Sequence, residues 1–214
     1  MKILYNKYTD YRKKEYQIYT QIVEEDGAKK VLKKNVYECG LNHIKEFVSN
    51  SQRLSEVYDS DMAKPLPCVY EDNAAVCSFI SGTSYQQILE TLCEEKNKEG
   101  IQEFLKKYMK LIEGKKSNQS PFQCTKEFEN WFGDGKEFQG LLATTFTNLD
   151  CNVGNVIVND EGTWIMDYEW CFSFPVPVDF VKYLNLSWLF YFDVPAIQKL
   201  YSFEELLSIC NITG

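Results

Sequence analysis

The run from Thr147 to Tyr168, TNLDCNVGNVIVNDEGTWIMDY, constrains this chain more than any other stretch. Val156-Ile157-Val158 reads as a strand, Asn159-Asp160-Glu161-Gly162 as a turn, and Trp164-Ile165-Met166 as the returning strand. A hairpin of that length brings Asn155, just before the first strand, and Asp167, just after the second, to the same end of the sheet. Asp150 falls on the loop that leads in. Two oxygen ligands then face one point, a geometry suited to a magnesium ion that also bridges phosphate oxygens. Asp and Asn are ordinary turn residues too, so the plain alternative is a polar hairpin with no metal. The apolar strands directly after Asn155 and directly before Asp167 favour the metal site.

Composition narrows the classes. The chain has 214 residues, 44% hydrophobic and 15% aromatic, enough for one large domain or two small lobes with a real core. Its 23 Lys+Arg against 31 Asp+Glu leave a net charge of -8. That argues against non-specific nucleic-acid binding, which needs basic surface to displace counterions, and disfavours an anionic membrane. The N-terminal MKILYNKYTDYRKK has no apolar core of useful length, so no signal peptide is expected. The apolar stretch from Leu186 to Ile197 is broken by Asp193 and Pro195 and is too short to span a bilayer. A cytoplasmic location follows as the expectation. There the eight cysteines, with no CxxC pair among them, are expected to be small buried hydrophobes, Cys77 in AAVCSFI being one. The single histidine, His43, removes Ser-His-Asp triads and multi-histidine metal sites. A cysteine nucleophile paired with His43 stays open.

Along the chain, Glu15 to Val23 alternates, Glu25-Asp26-Gly27 signals a turn, and Lys30 to Val36 reads as the partner strand. The first element is thus an antiparallel hairpin. Gly40 to Tyr58 has helical spacing, with Leu41, Ile44, Phe47, Val48 and Leu54 on one face. Strands are expected at Leu66 to Tyr70 and Ala74 to Ile80. Ser81 to Ser84 is a break with capping character, before helices at Tyr85 to Cys93 and Ile101 to Ile112. Gly114 to Thr125 reads as a loop and Phe128 to Thr145 as partly helical. Val178 to Phe192 reads as a buried helix, and Ser202 to Ile209 as a short helix opened by a capping box.

Four stretches carry a resemblance: RKKEYQIYTQIVEEDGAKKVLKK, GLNHIKEF, FISGTSYQQIL and LDCNVGNVIVNDEGTWIMDYEWCFSFPVPVDF. Through them the chain resembles the protein-kinase-like superfamily, in particular aminoglycoside and choline phosphotransferases. It also resembles the small kinase-like domains encoded with bacterial lipopolysaccharide and surface-polysaccharide glycosyltransferases. The fold implied is α+β and bilobal. Residues 1–81 would form an antiparallel-sheet N-lobe with one helix, and residues 82–214 a shortened, mainly helical C-lobe.

The resemblance implies an ATP- and magnesium-dependent phosphotransferase acting on a hydroxyl of a small molecule or a surface glycan. Asp150 matches the catalytic aspartate that orients the acceptor hydroxyl. Asn155 and Asp167 match the magnesium ligands, and Glu169 an acidic position nearby. Lys33 matches the lysine that holds the α- and β-phosphates, with Glu46 on the following helix as its partner. Val31, on the same strand face as Lys33, would cover the adenine, and the backbone of Phe79 and Ile80 would meet its edge. Two departures stand out. The first turn, Thr9-Asp10-Tyr11-Arg12, holds no glycine, so side chains such as Arg12 would have to replace a backbone phosphate cradle. Asn148-Leu149 replaces the histidine and small residue that often precede the catalytic aspartate. The alternative is a pseudokinase-like module that docks on a glycosyltransferase or another assembly protein.

Overall fold

The computed structural model describes residues 1–212. It opens with three antiparallel strands, β1 (Lys2–Tyr8), β2 (Ile18–Glu25) and β3 (Ala28–Asn35). The β2–β3 hairpin matches the sequence reading, and its turn residues Asp26 and Gly27 take positive φ of 52° and 79°. It is not the first element, however. β1 precedes it and pairs with β2 from Lys2↔Glu24 to Tyr8↔Tyr19. All seven residues of β1 are exposed, so no buried face imposes the alternation that would reveal a strand.

Helix α1 (Leu41–Val57) follows and buries Ile44, Phe47, Val48, Leu54 and Val57, close to the predicted face. The short strand β4 (Lys64–Pro65) leads into the hairpin of β5 (Cys68–Glu71) and β6 (Ala74–Ser78). Asp72 and Asn73 turn that hairpin, both at positive φ. β6 pairs with β3, completing a five-stranded sheet in the order β1-β2-β3-β6-β5. Cys68 and Cys77 stand directly opposite each other on β5 and β6 and are joined by a disulfide, which corrects the expectation of unbonded cysteines. Of the free cysteines, Cys93, Cys151 and Cys210 are buried.

The second half begins with β7 (Thr83–Ser84) and α2 (Tyr85–Glu94). A capping box opens α2: the Ser84 hydroxyl accepts from the Gln87 amide while the Gln87 side chain accepts from the Ser84 amide. Next come α3 (Lys98–Glu113), β8 (Gln119–Pro121), α4 (Lys126–Phe132) and β9 (Leu142–Thr144). The segment read as a loop therefore contains a strand, and the one read as partly helical ends in another. β9 pairs with β8 and with the later β14, so each takes strand form from long-range pairing rather than from local pattern. β10 (Thr147–Asn148), β11 (Val156–Asn159), β12 (Gly162–Ile165), β13 (Cys171–Phe172) and β14 (Val176–Pro177) lead to α5 (Val178–Trp188) and α6 (Phe203–Ile209). α5 stops short of Phe192 because Leu189–Asp193 widens into a π turn before Pro195.

The result is an α+β, bilobal fold with one continuous hydrophobic core, in which Tyr85, Tyr108, Tyr168, Phe122 and Phe128 are the largest fully buried side chains. Among the described residues no helix is long and apolar enough to cross a membrane.

The π turn holds an uncomfortable acid. Asp193 Oδ2 is buried without a hydrogen-bond partner, and burial pushes the carboxyl up to about 6, with Trp188 opposing. An acid whose folded pKa lies above its unfolded value costs stability once it ionises. That cost grows as pH rises through about 6 and vanishes toward pH 4. Asp193→Asn, a neutral isostere, is therefore expected to raise the melting temperature at pH 8 and to change it little near pH 4. Thermal scans at the two pH values check this, and a lower melting temperature at pH 8 would refute it.

Candidate active site

The β11–β12 hairpin forms as the sequence suggests, with Val156↔Ile165 and Asn159↔Gly162 as its first and last pairs. β7 pairs antiparallel to β11, and β4 runs parallel to β12, so elements from both halves fix the hairpin in place. The approach of β7 requires a glycine: a Cβ on Gly82 would sit 2.4 Å from the Val158 carbonyl oxygen. At the open end the Met166 amide donates to the Asn155 carbonyl at 2.8 Å, which ties the positions before Asp167 and at Asn155 together. Asp167 itself has φ +62°, a conformation that non-glycine residues hold only under constraint from their surroundings.

The loop carrying Asp150 is held by amides. Asn148, 3% exposed, accepts from the Asp150 amide at 3.0 Å and donates to the Asp167 carbonyl at 3.2 Å. One side chain thus braces both acidic loops. Asn152 accepts from the amides of Gly154 and Asn155 and donates to Asp150 Oδ1 at 2.9 Å. The Asn155 side-chain amide donates to the Asp150 carbonyl at 2.9 Å, which leaves its Oδ1 turned to the other side. From below, the Tyr108 hydroxyl donates to the Cys151 carbonyl at 2.9 Å. Burial, then the charges of Asp167 and Glu169, push the Asp150 carboxyl up to about 7.

Lys33 reaches this cluster from β3. Its Nζ donates to Asp167 Oδ2 at 2.7 Å and to Glu169 Oε1 at 2.6 Å, and lies 4.9 Å from the centre of the Phe47 ring. Burial works against its charge, but the two carboxylates overcome that and raise its pKa. The expected partner Glu46 is exposed on α1, so the pairing read from helix spacing is corrected: Asp167 and Glu169 take its place. Glu169 is the residue whose importance sequence reasoning understated. It also accepts from Arg12 Nη1, and although burial opposes ionisation, Lys33 and Arg12 hold its carboxyl down at about 2. Arg12 comes from the first loop, where Gln17 Nε2 donates to the Asp10 and Arg12 carbonyls, and its guanidinium lies 5.4 Å from the Trp170 ring centre. Four charges therefore alternate in a row: Arg12, Glu169, Lys33, Asp167.

The positions expected around an adenine are less open. Val31 is half-buried opposite Cys77, and Ile80 is half-buried against the core. The Phe79 ring is 37% exposed beneath Lys29, but its amide already donates to the Lys29 carbonyl at 3.2 Å. Only its carbonyl and the neighbouring Ile80 backbone remain for a ligand edge.

Asp167 also bears on metal binding. Its Oδ1 is buried without a hydrogen-bond partner. Burial raises its pKa, with Lys33 opposing and Glu169 adding to the rise. An orphaned carboxylate oxygen at the same hairpin end as Asn155 fits a small hard cation. Among the described residues no group of three or more His, Cys, Asp or Glu could hold a metal unaided. A magnesium site of one carboxylate and one amide fits that result, because magnesium keeps waters and phosphate oxygens as its other ligands. A cavity of about 1200 Å³ beside α3 and the start of α5 contains none of Lys33, Asp150, Asn155, Asp167 or Glu169.

Comparisons with protein families and with curated proteins return no match. Among solved structures, the chain is similar to the gentamicin–APH(2″)-IIa complex at 12% identity, covering 98% of this chain and 77% of that one, TM-score 0.48. The streptomycin–ATP–APH(2″)-IIa ternary complex gives 11% identity, 99% and 78% coverage, TM-score 0.48. ADP-bound aminoglycoside phosphotransferase APH(2″)-Ib gives 12% identity, 99% and 86% coverage, TM-score 0.41. These aminoglycoside phosphotransferases are what the chain is similar to.

Proposed function

We propose that this protein is an ATP- and magnesium-dependent phosphotransferase acting on a hydroxyl. The observation that carries this reading is the unpartnered, buried Oδ1 of Asp167, placed beside Lys33 and at the same hairpin end as Asn155. Asn155 and Asp167 would hold magnesium, which neutralises phosphate charge. Lys33 would turn its ammonium from the carboxylates to the α- and β-phosphates. Asp150 orients the acceptor hydroxyl and takes its proton. The hydroxyl oxygen forms the new bond to the γ-phosphorus, the bond to the β–γ bridging oxygen breaks, and ADP leaves with that electron pair. Val31, Phe79 and Ile80 would border the adenine.

The acceptor is a small molecule or the end of a surface glycan, in bacterial lipopolysaccharide or related polysaccharide synthesis, beside a glycosyltransferase partner. A cytoplasmic location, where ATP is supplied, fits this reading. Two observations favour a second reading, a kinase-like docking module without turnover: the Phe79 amide is committed to Lys29, and no glycine lies in the first loop. Calorimetric titration of ATP with and without magnesium, with an ADP-release assay, separates the two. Magnesium-dependent binding followed by ADP release with an acceptor supports the phosphotransferase, and binding without turnover, or absence of binding in both conditions, supports the docking module.

A further inference from the structure

We infer that a cavity between the first loop and α4 is the acceptor subsite, and that it selects a sugar bearing an anionic group. The inference rests on the phosphotransferase reading for what is transferred, and on the cavity alone for what is bound.

The cavity has a volume of about 380 Å³ and is lined by Arg12, Lys13, Tyr16, Asn130, Trp131 and Trp170. That volume lies at the lower end for small-ligand sites and has room for one sugar ring with its substituents. Three of the six residues are aromatic. Trp131 and Trp170 stand 6.1 Å apart at 74°, and Tyr16 and Trp170 stand 5.4 Å apart at 53°. Such steeply inclined rings form a corner rather than a flat stack. Trp131 is 49% exposed, a large indole face left in water beside a cavity. The apolar C–H face of a pyranose covers an indole well. The Asn130 side chain and the unused N–H groups of Arg12 can bond its hydroxyls.

Charge decides the class of sugar. The lining holds two cations and no carboxylate, in a chain whose net charge is -8. Arg12 is paired with Glu169, so the uncompensated cation of the lining is Lys13. Lys13 is exposed and makes no ion pair among the described residues. A cationic acceptor would meet uncompensated like charge there, whereas a carboxylate or phosphate would complete the pairing.

The cavity also sits next to the chemistry. The Leu149 amide donates to the Trp170 carbonyl at 2.9 Å, so the wall of the cavity is joined to the residue before Asp150. Arg12 continues through Glu169 and Lys33 to Asp167. A ring seated on Trp131 and Trp170 would present its far hydroxyls toward that loop.

The test is calorimetric titration of the full chain with D-glucuronate, D-glucose and D-glucosamine, alongside titration with magnesium-ATP. Glucuronate is expected to bind at least about ten-fold more tightly than glucose, and glucosamine most weakly. Lys13→Ala should erase the preference for glucuronate, and Trp131→Ala should weaken all three sugars. Neither variant should alter magnesium-ATP binding. Glucosamine binding as tightly as glucuronate, failure of glucuronate to bind, or sugar affinities unchanged in both variants would overturn the subsite. If the sugar preference holds but ATP never binds, the subsite stands and the phosphotransferase reading falls.

Discussion

Asp150→Asn is expected to lower turnover by about three orders of magnitude, the range lost when a positioned general base is removed. Magnesium-ATP affinity should stay within about two-fold, because the change removes an interaction made with the reacting hydroxyl and not with the nucleotide. The substitution is well isolated. The bonds to Asn148 and Asn155 use the backbone of Asp150, and the contact with Asn152 uses Oδ1, which an asparagine carbonyl replaces. Stability should hold or rise, since the carboxyl is pushed up to about 7 by burial and by neighbouring acids, and the amide carries no charge to bury. A product assay against ADP release, paired with a thermal scan, reads both effects. Turnover that survives in a folded variant removes Asp150 from the mechanism.

Asp167→Asn is expected to weaken magnesium-ATP binding by about a hundred-fold or more, while binding of ATP without metal changes little. The carboxylate supplies the only anionic oxygen among the two candidate ligands, and an amide cannot replace its charge. Lys33 keeps Glu169 as a partner at 2.6 Å, so the lysine is not left unpaired in the variant. That separates a metal effect from collapse of the site, which a single loss of affinity would not do. Titration at several magnesium concentrations is the measurement. An unchanged magnesium dependence would falsify the ligand role of Asp167.

Local patterning made much of the fold legible. The 156–165 hairpin is set by two apolar runs and a polar turn, and the caps at Ser84 and Ser202 by side chains that satisfy helix amides three residues on. β1 escaped because it has no buried face, and β9 because its partners lie at positions 119–121 and 176–177. The Cys68–Cys77 bond depends on strand register, which cysteine spacing does not report. The hairpin brings Asn155 and Asp167 to one end as its length implies. The pairing of Lys33 was not legible in the same way. Its true partners are 134 and 136 residues away, and helix register offered only the nearer Glu46. Arg12 and Glu169 are likewise joined over 157 residues, and the one local hint was a charged residue two places after Asp167.

The alternating row of Arg12, Glu169, Lys33 and Asp167 has a consequence for any polyanion that approaches it. Two cations and two anions leave the row neutral as a whole. An incoming polyanion does not find a waiting positive charge. It would have to take Lys33 away from carboxylates that already hold it, so binding would be an exchange of one anion for another. The freed Asp167 is then left without its counter-ion at the moment a metal arrives. Entry of a polyanion and of a metal would then be two halves of one substitution, each making the other easier.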